Sequence, residues 1–210
     1  MNNKIIIFGA TGNTVIEICK ELKSHNINYS VFVRNGSESK IENPDTNIIL
    51  GDVLNPFDLD KAFSENDYTD IIIALGSRNF RSGDIRFNGT KNIIDSINSN
   101  EKRIKIHVVS ANGVGSSWKN LSWNEKLICK LLIPKAMKDH EQQEGMVKSN
   151  IGGYHIIRPV GLTNEKRTGK IIADKEKALP NKKASRANVA KYIVDSIIKG
   201  LSGEHSICDE

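Results

Sequence analysis

Near the start of the chain, Gly9-Ala10-Thr11-Gly12-Asn13-Thr14 stands between a short apolar run and an amphipathic stretch. Glycines at such a junction permit a tight turn and let backbone N–H groups approach a pyrophosphate, whose charge the helix N-terminus stabilises further. An ordinary strand-to-helix turn is the plainer reading, and the flanking strand and helix patterns are what favour the phosphate. The third glycine of the dinucleotide fingerprint is absent, because Val15 occupies its position.

Other chemistry-bearing residues follow apolar runs of strand length. After Tyr29 to Val33 comes Arg34, where a carboxylate would accept bonds from the ribose hydroxyls of NAD. A guanidinium cannot accept those bonds but can grip a 2′-phosphate, so Arg34 favours NADP, with Asn35, Ser37 and Ser39 as polar neighbours. Asp52 and Val53 are placed to meet the adenine, with a simple turn as the competing role for Asp52. Leu75, Gly76, Ser77 and Arg78 follow the fourth run, and Ser110 and Ala111 the fifth. Ligands of open α/β sheets bind at such strand ends, so these residues are candidate cofactor contacts. The Ser110 hydroxyl could donate toward a substrate carbonyl or the nicotinamide, and a mere strand terminator is the alternative. Pro159, Val160, Gly161 and Leu162 after the sixth run are expected to wall the nicotinamide ribose.

His140 and Glu144 lie one helical turn apart and could supply a proton or position a substrate near Ser110. A half-exposed helix pair is the favoured reading of the two. His-Glu-x-x-Glu is not the zinc pattern His-Glu-x-x-His, and no metal site is expected. Trp118 could cover a planar ligand, whereas Trp123 is expected to staple the start of a helix.

Positioning these residues requires a parallel sheet covered on both faces, because strand-length apolar runs alternate with helix-length amphipathic stretches. Strands are predicted at Lys4–Phe8, Tyr29–Val33, Asn47–Leu50, Asp70–Leu75, Ile104–Val109 and Tyr154–Ile157, with a short one near His205–Cys208. Helices are predicted at Asn13–Ser24, closed by Asn26, at Pro56–Glu65, capped by Asn55, and at Ile85–Ser99. Ser122 and Glu125 form a capping-box pair opening a helix that Pro134 breaks, and a second segment runs to Ser149. The last helix spans Arg186–Lys199. The expected fold is α/β: a single-domain Rossmann fold over residues 1–210, doubly wound, with helices on both faces.

Composition narrows the function. With 38% hydrophobic residues in 210, the chain can bury one sizeable core. The net charge of +5 comes from scattered lysines such as Lys175, Lys177, Lys182 and Lys183, broken by Asp174 and Glu176. Nucleic-acid tracking needs clustered charge with stacking aromatics, so no nucleic-acid partner is expected. Cys19, Cys129 and Cys208 are odd in number and lack a CxxC pair, which points to reduced packing thiols and a cytoplasmic location. The run Ile5 to Phe8 is too short for a signal peptide or a membrane span.

Taken together, Gly-Ala-Thr-Gly-Asn-Thr, Val-Arg34, Gly-Asp52-Val, Leu-Gly76-Ser-Arg-Asn, Val-Ser110-Ala, Ile-Arg158-Pro and Ala-Ser185-Arg186-Ala-Asn-Val-Ala resemble the atypical short-chain dehydrogenases/reductases. More narrowly, the chain is similar to the NmrA-like group, which includes flavin and biliverdin reductases. The resemblance runs from Lys4 to about Gly200. It implies an NADPH-binding fold, commonly monomeric with a homodimer as the alternative, that delivers hydride to flavins, tetrapyrroles or quinone-like acceptors. Two departures stand out. Tyr29, Tyr68, Tyr154 and Tyr192 are followed four residues on by Val33, Ile72, Arg158 and Ser196, so the Tyr-x-x-x-Lys pair of typical members is missing. Gly161 stands where a bilin-reducing member has a histidine, which argues against bilins. The expected function is an NADPH-dependent reductase acting on a flavin, quinone-like or related small acceptor. A non-catalytic redox-sensing regulator of the NmrA type is the alternative, and the missing acid pair disfavours an epimerase or dehydratase.

Overall fold

Isoleucine-rich runs build the centre of the molecule. The computed structural model describes residues 4–41, 46–76 and 84–210. Its first half contains β1 (Lys4–Phe8), α1 (Asn13–Ser24), β2 (Asn28–Val33), β3 (Asn47–Leu50), α2 (Pro56–Ser64), β4 (Asp70–Ile73) and α3 (Ile85–Ser99). The second half contains β5 (Lys105–Val109), α4 (Trp123–Leu132), α5 (Pro134–Lys148), β6 (Tyr154–Pro159), β7 (Gly161–Thr163), β8 (Ile171–Asp174), β9 (Lys183–Ser185), α6 (Arg186–Ile198) and β10 (Gly203–Asp209).

The main sheet has the order β3-β2-β1-β4-β5-β6-β10-β8, and β7 pairs with β9 in a separate two-stranded sheet. This is a Rossmann arrangement, in which the connections reverse direction between β1 and β4. Parallel strands buried on both faces need apolar residues at every position, and alternate residues of β1 serve opposite layers. Ile5 and Ile7 pack in a cluster with Val15, Ile18 and Leu22 of α1 and Val189, Ile193 and Ile197 of α6. Ile6 and Phe8 pack in another with Leu59 and Phe63 of α2 and Ile93 and Ile97 of α3. One expectation is corrected at the far edge: β8 runs antiparallel to β10, so the sheet is not wholly parallel. β7, β8 and β9 have three or four residues each in a lysine-rich stretch, too short to show a period.

Local signals at the helix ends act as expected. Asn26 adopts φ 54° while Ile27 N–H donates to Leu22 O at 3.0 Å, closing α1. The Asn55 side chain accepts from Phe57 N–H at 3.2 Å with Pro56 in the first turn of α2. Ser122 and Glu125 form the capping box of α4, and Pro134 takes the first position of α5, ending α4 at Ile133.

On the α6 side of the sheet, His107 Nε2–H donates to Asp70 Oδ1 at 2.9 Å, and His155 lies 3.0 Å from His205. Burial pushes the His155 imidazole down to about 3, aided by His107, His205, Lys105 and Lys175. Burial also lowers His107 despite its carboxylate partner. Because these groups take up protons near pH 6.5 only once unfolded, the unfolded chain binds more protons below that pH. Stability should therefore fall as the pH drops from about 6.5 toward 4. Melting curves across that range should show a smaller fall for His155→Phe, and an equal slope in both proteins would contradict the role of His155.

Candidate functional site

Strand register brings the sequence-predicted residues to one edge. Phe8 is level with Phe32 of β2 and Ile73 of β4, Ile73 with Val108 of β5, and Val109 with Ile157 of β6. The residues that follow, Gly9 to Asn13, Arg34, Ala74 to Gly76, Ser110 and Pro159, consequently surround the crevice at the carboxyl ends of the strands.

The glycines along this edge differ in why they are glycine. Gly9 has φ +93°, and a Cβ there would lie 2.3 Å from Ala74 O, so the close approach of β1 to β4 excludes a side chain. Gly12 has extended backbone, φ −86° and ψ 143°, open to any residue. A Cβ on Gly12 would meet Gly9 O alone, at 3.4 Å, and one on Gly76 would meet nothing within 4 Å among the described residues. Both are exposed. Among the described residues nothing requires glycine at either place, while a phosphate lying along the crevice would. Gly12 also caps α1 with no side chain, and the first turn of α1 holds no acidic residue. The leading N–H groups of that helix have no partner within it, and no carboxylate of its own first turn competes for them. The residues present therefore fit a dinucleotide.

Thr11 and Thr14 are half-buried and Asn13 exposed beside this turn. Val15 is fully buried in the α1–sheet core, so the residue in place of the third glycine packs inward. Arg34 is exposed in a turn closed by Ser37 N–H on Arg34 O at 3.0 Å. Asp52 carries the turn role: its Oδ1 accepts from Leu54 N–H at 2.9 Å. Val53 is buried against Gly89 of α3. Leu75 packs partly against that same cluster. Ser77 and Arg78 lie outside the described residues.

At the end of β5, the structure brings Glu144, one of the helix pair that the sequence could place near Ser110, onto that serine and adds Arg158 and Glu204 to it. Ser110 is buried and its hydroxyl donates to Glu144 Oε1 at 2.6 Å. Glu144, read from sequence as half-exposed, is 2% exposed and takes a two-point grip from Arg158: Nε to Oε1 at 2.8 Å and Nη2 to Oε2 at 2.6 Å. Arg158 Nη2 also donates to Glu204 Oε2 at 2.5 Å and Nη1 to Ser116 Oγ at 2.8 Å, while Lys148 pairs with Glu204 at 2.7 Å. Two cations and two carboxylates thus balance in one network. Burial opposes the charge on Arg158, but its bonds to Glu144 and Glu204 outweigh that and raise its pKa. Besides the His140–Glu144 pair, the sequence signal for this network was a charged residue inside the apolar strand β6.

His140 does not join Ser110 in this network. Burial first, then the Arg86 guanidinium, pushes its imidazole down to about 4, so it is neutral at pH 7 and holds no proton to give as an imidazolium. Its Nδ1 is buried without a partner among the described residues. Arg86 itself bonds Asp139 at 3.1 Å, tying α3 to α5.

Beyond β6, Asn112 N–H donates to Pro159 O at 3.0 Å, which fastens the two loops together. Ala111 is half-buried on the first of them. Val160 is buried in the α6-side core, Leu162 is exposed, and a Cβ on Gly161 would come within 2.9 Å of Lys182 O. The approach of the Lys182 carbonyl therefore favours glycine at position 161. A cavity of about 570 Å³ opens between the loop after β5, α4 and α5, with Val114, Trp118, Met137, Lys130 and Lys138 in its wall. Trp118 contributes a ring there with the Lys130 ammonium 5.8 Å from its centre. Trp123 is 79% exposed and staples nothing.

Comparison with known proteins agrees with this geometry. A family model described as NAD(P)H-binding matches residues 9–199. The chain is 26% identical over 208 residues to an uncharacterized chloroplastic protein of Arabidopsis thaliana, covering 93% of this chain and 72% of that one. It superposes on ChuY, an anaerobilin reductase of Escherichia coli O157:H7, with a TM-score of 0.82 at 19% identity, covering 99% and 97% of the two chains. A short-chain dehydrogenase/reductase of Veillonella parvula in complex with NADP gives a TM-score of 0.81 at 17% identity, with 100% and 95% covered.

Proposed function

We propose that this chain, which belongs to the NAD(P)H-binding family, is a reductase that holds NADP(H) across the β1–β4 crevice and serves a small flavin or quinone-like acceptor. The observation that carries this reading is the pair Gly12, at the open N-terminus of α1, and Gly76, after β4, glycines whose added Cβ would meet little or nothing among the described residues. The bound dinucleotide would supply hydride, and the protein supplies position.

Each residue has a corresponding task. N–H groups at the start of α1 bind the pyrophosphate, and Arg34 grips the 2′-phosphate. Ser110 has given its hydrogen to Glu144, so its oxygen is left to accept from the carboxamide amide group. The loop from Pro159 to Leu162 walls that end of the crevice. A planar acceptor lies toward Trp118, where Lys130 and Lys138 suit acidic substituents. With His140 neutral and Ser110 committed, the acceptor's proton comes from water. That same commitment favours a second reading, a regulator that binds the cofactor without turning it over.

NADPH oxidation measured with a panel of flavins, quinones and bilins, beside a binding titration, separates the two. Oxidation with an acceptor supports the reductase, and tight binding with no oxidation supports the regulator. Arg34→Ala should weaken NADPH about 10- to 150-fold, the worth of one charge-assisted bond, and leave NADH unchanged. Equal affinity of the parent protein for both cofactors would remove Arg34 from the site.

A further inference from the structure

Helix α4 buries none of its ten residues. Trp123, Leu127 and Leu131 recur at successive turns with Ile128 and Leu132 beside them, and all five are between 48% and 79% exposed. By contrast, α1 and α6 sink their apolar stripes into the core. A contiguous apolar face of this kind on a folded protein marks a contact surface.

Charge identifies what it contacts. Between residues 119 and 138 stand five lysines, at 119, 126, 130, 135 and 138, against one carboxylate, Glu125, for a net charge of +4, and of these Lys130 and Lys138 border the cavity while the other three do not line it. Glu125 is already held by Ser122 and Lys182. A two-fold related copy of this chain would set the same lysines against each other. An anionic lipid surface takes both parts of the pattern: acyl chains receive the leucines, headgroups accept Trp123, and lipid phosphates attract the lysines. The capping box and Pro134 hold α4 as a formed helix at both ends, so docking orders nothing new.

We propose that α4 is an interfacial helix that lays this protein on anionic lipid. Through Cys129 and Lys130 it also walls the cavity, which docking would hold at the lipid surface.

Vesicles of phosphatidylcholine, with and without phosphatidylglycerol, provide the test on the full chain. The protein should co-sediment with the anionic vesicles, less so at high salt. In a Trp118→Phe background the Trp123 emission should shift to the blue on binding. The double change Leu127→Gln with Leu131→Gln should weaken vesicle binding about tenfold or more, with melting temperature and NADPH affinity unchanged, since both side chains are exposed and outside the crevice. Absence of co-sedimentation, or binding indifferent to lipid charge, would overturn the proposal. So would a dimer in light scattering that the same double change returns to monomer.

Discussion

Glu144→Ala should lower stability by about 3–5 kcal/mol, because it leaves the Arg158 guanidinium in the core with its two-point partner gone. Arg158 is 1% exposed, and its other carboxylate, Glu204, is shared with Lys148. For a chain of this size the melting temperature should drop by roughly 10 °C. A double change, Glu144→Leu with Arg158→Met, should recover most of the loss, since apolar replacements of similar volume remove both buried charges together. The alanine variant also strips Ser110 of its acceptor, so turnover at saturating NADPH should change in Glu144→Ala beyond the effect of unfolding. A drop under about 1 kcal/mol would mean that the network is well solvated and does not anchor β5 to α5 and β6.

Gly12→Val should reduce NADPH affinity on the order of 100-fold, about 2.7 kcal/mol, while the cofactor-free protein loses no more than about 1 kcal/mol, the cost of a poorer N-cap. The backbone at Gly12 is extended, which valine adopts readily, and its side chain would project into open crevice rather than into the protein. Gly9 makes the contrast. There a Cβ would overlap the Ala74 carbonyl in a positive-φ conformation, and Gly9→Ala should cost about 3 kcal/mol or more of stability whether or not cofactor is present. Isothermal titration and melting curves on both variants separate the two roles. Normal NADPH binding by Gly12→Val would show that the turn does not hold the pyrophosphate.

The difference between these two glycines marks how far one sequence can be read. That a glycine-bearing turn joins a strand to a helix was legible, because apolar periodicity and helix caps act over a few residues and each leaves its own local pattern. On that basis β1, β3, α1 and α3 begin and end where the pattern placed them, and Asn26, Asn55, Ser122 and Pro134 perform their expected local tasks. Which glycine serves the fold and which leaves space depends on where β4 lies beside β1, 60 or more residues away in the chain. The same holds for chemistry. Ser110 meets Glu144 across 34 residues and Arg158 meets Glu204 across 46, pairings made by strand order and helix packing rather than by spacing. His140 and Glu144 look equivalent on a helical wheel, yet the sheet buries one against Arg158 and leaves the other neutral beside Arg86. Likewise, Trp123, Leu127 and Leu131 announce an amphipathic helix, but periodicity describes a face and not what covers it. Only the tertiary structure decided that α4 meets solvent, because burial is a property of the assembled layers and no short-range signal carries it.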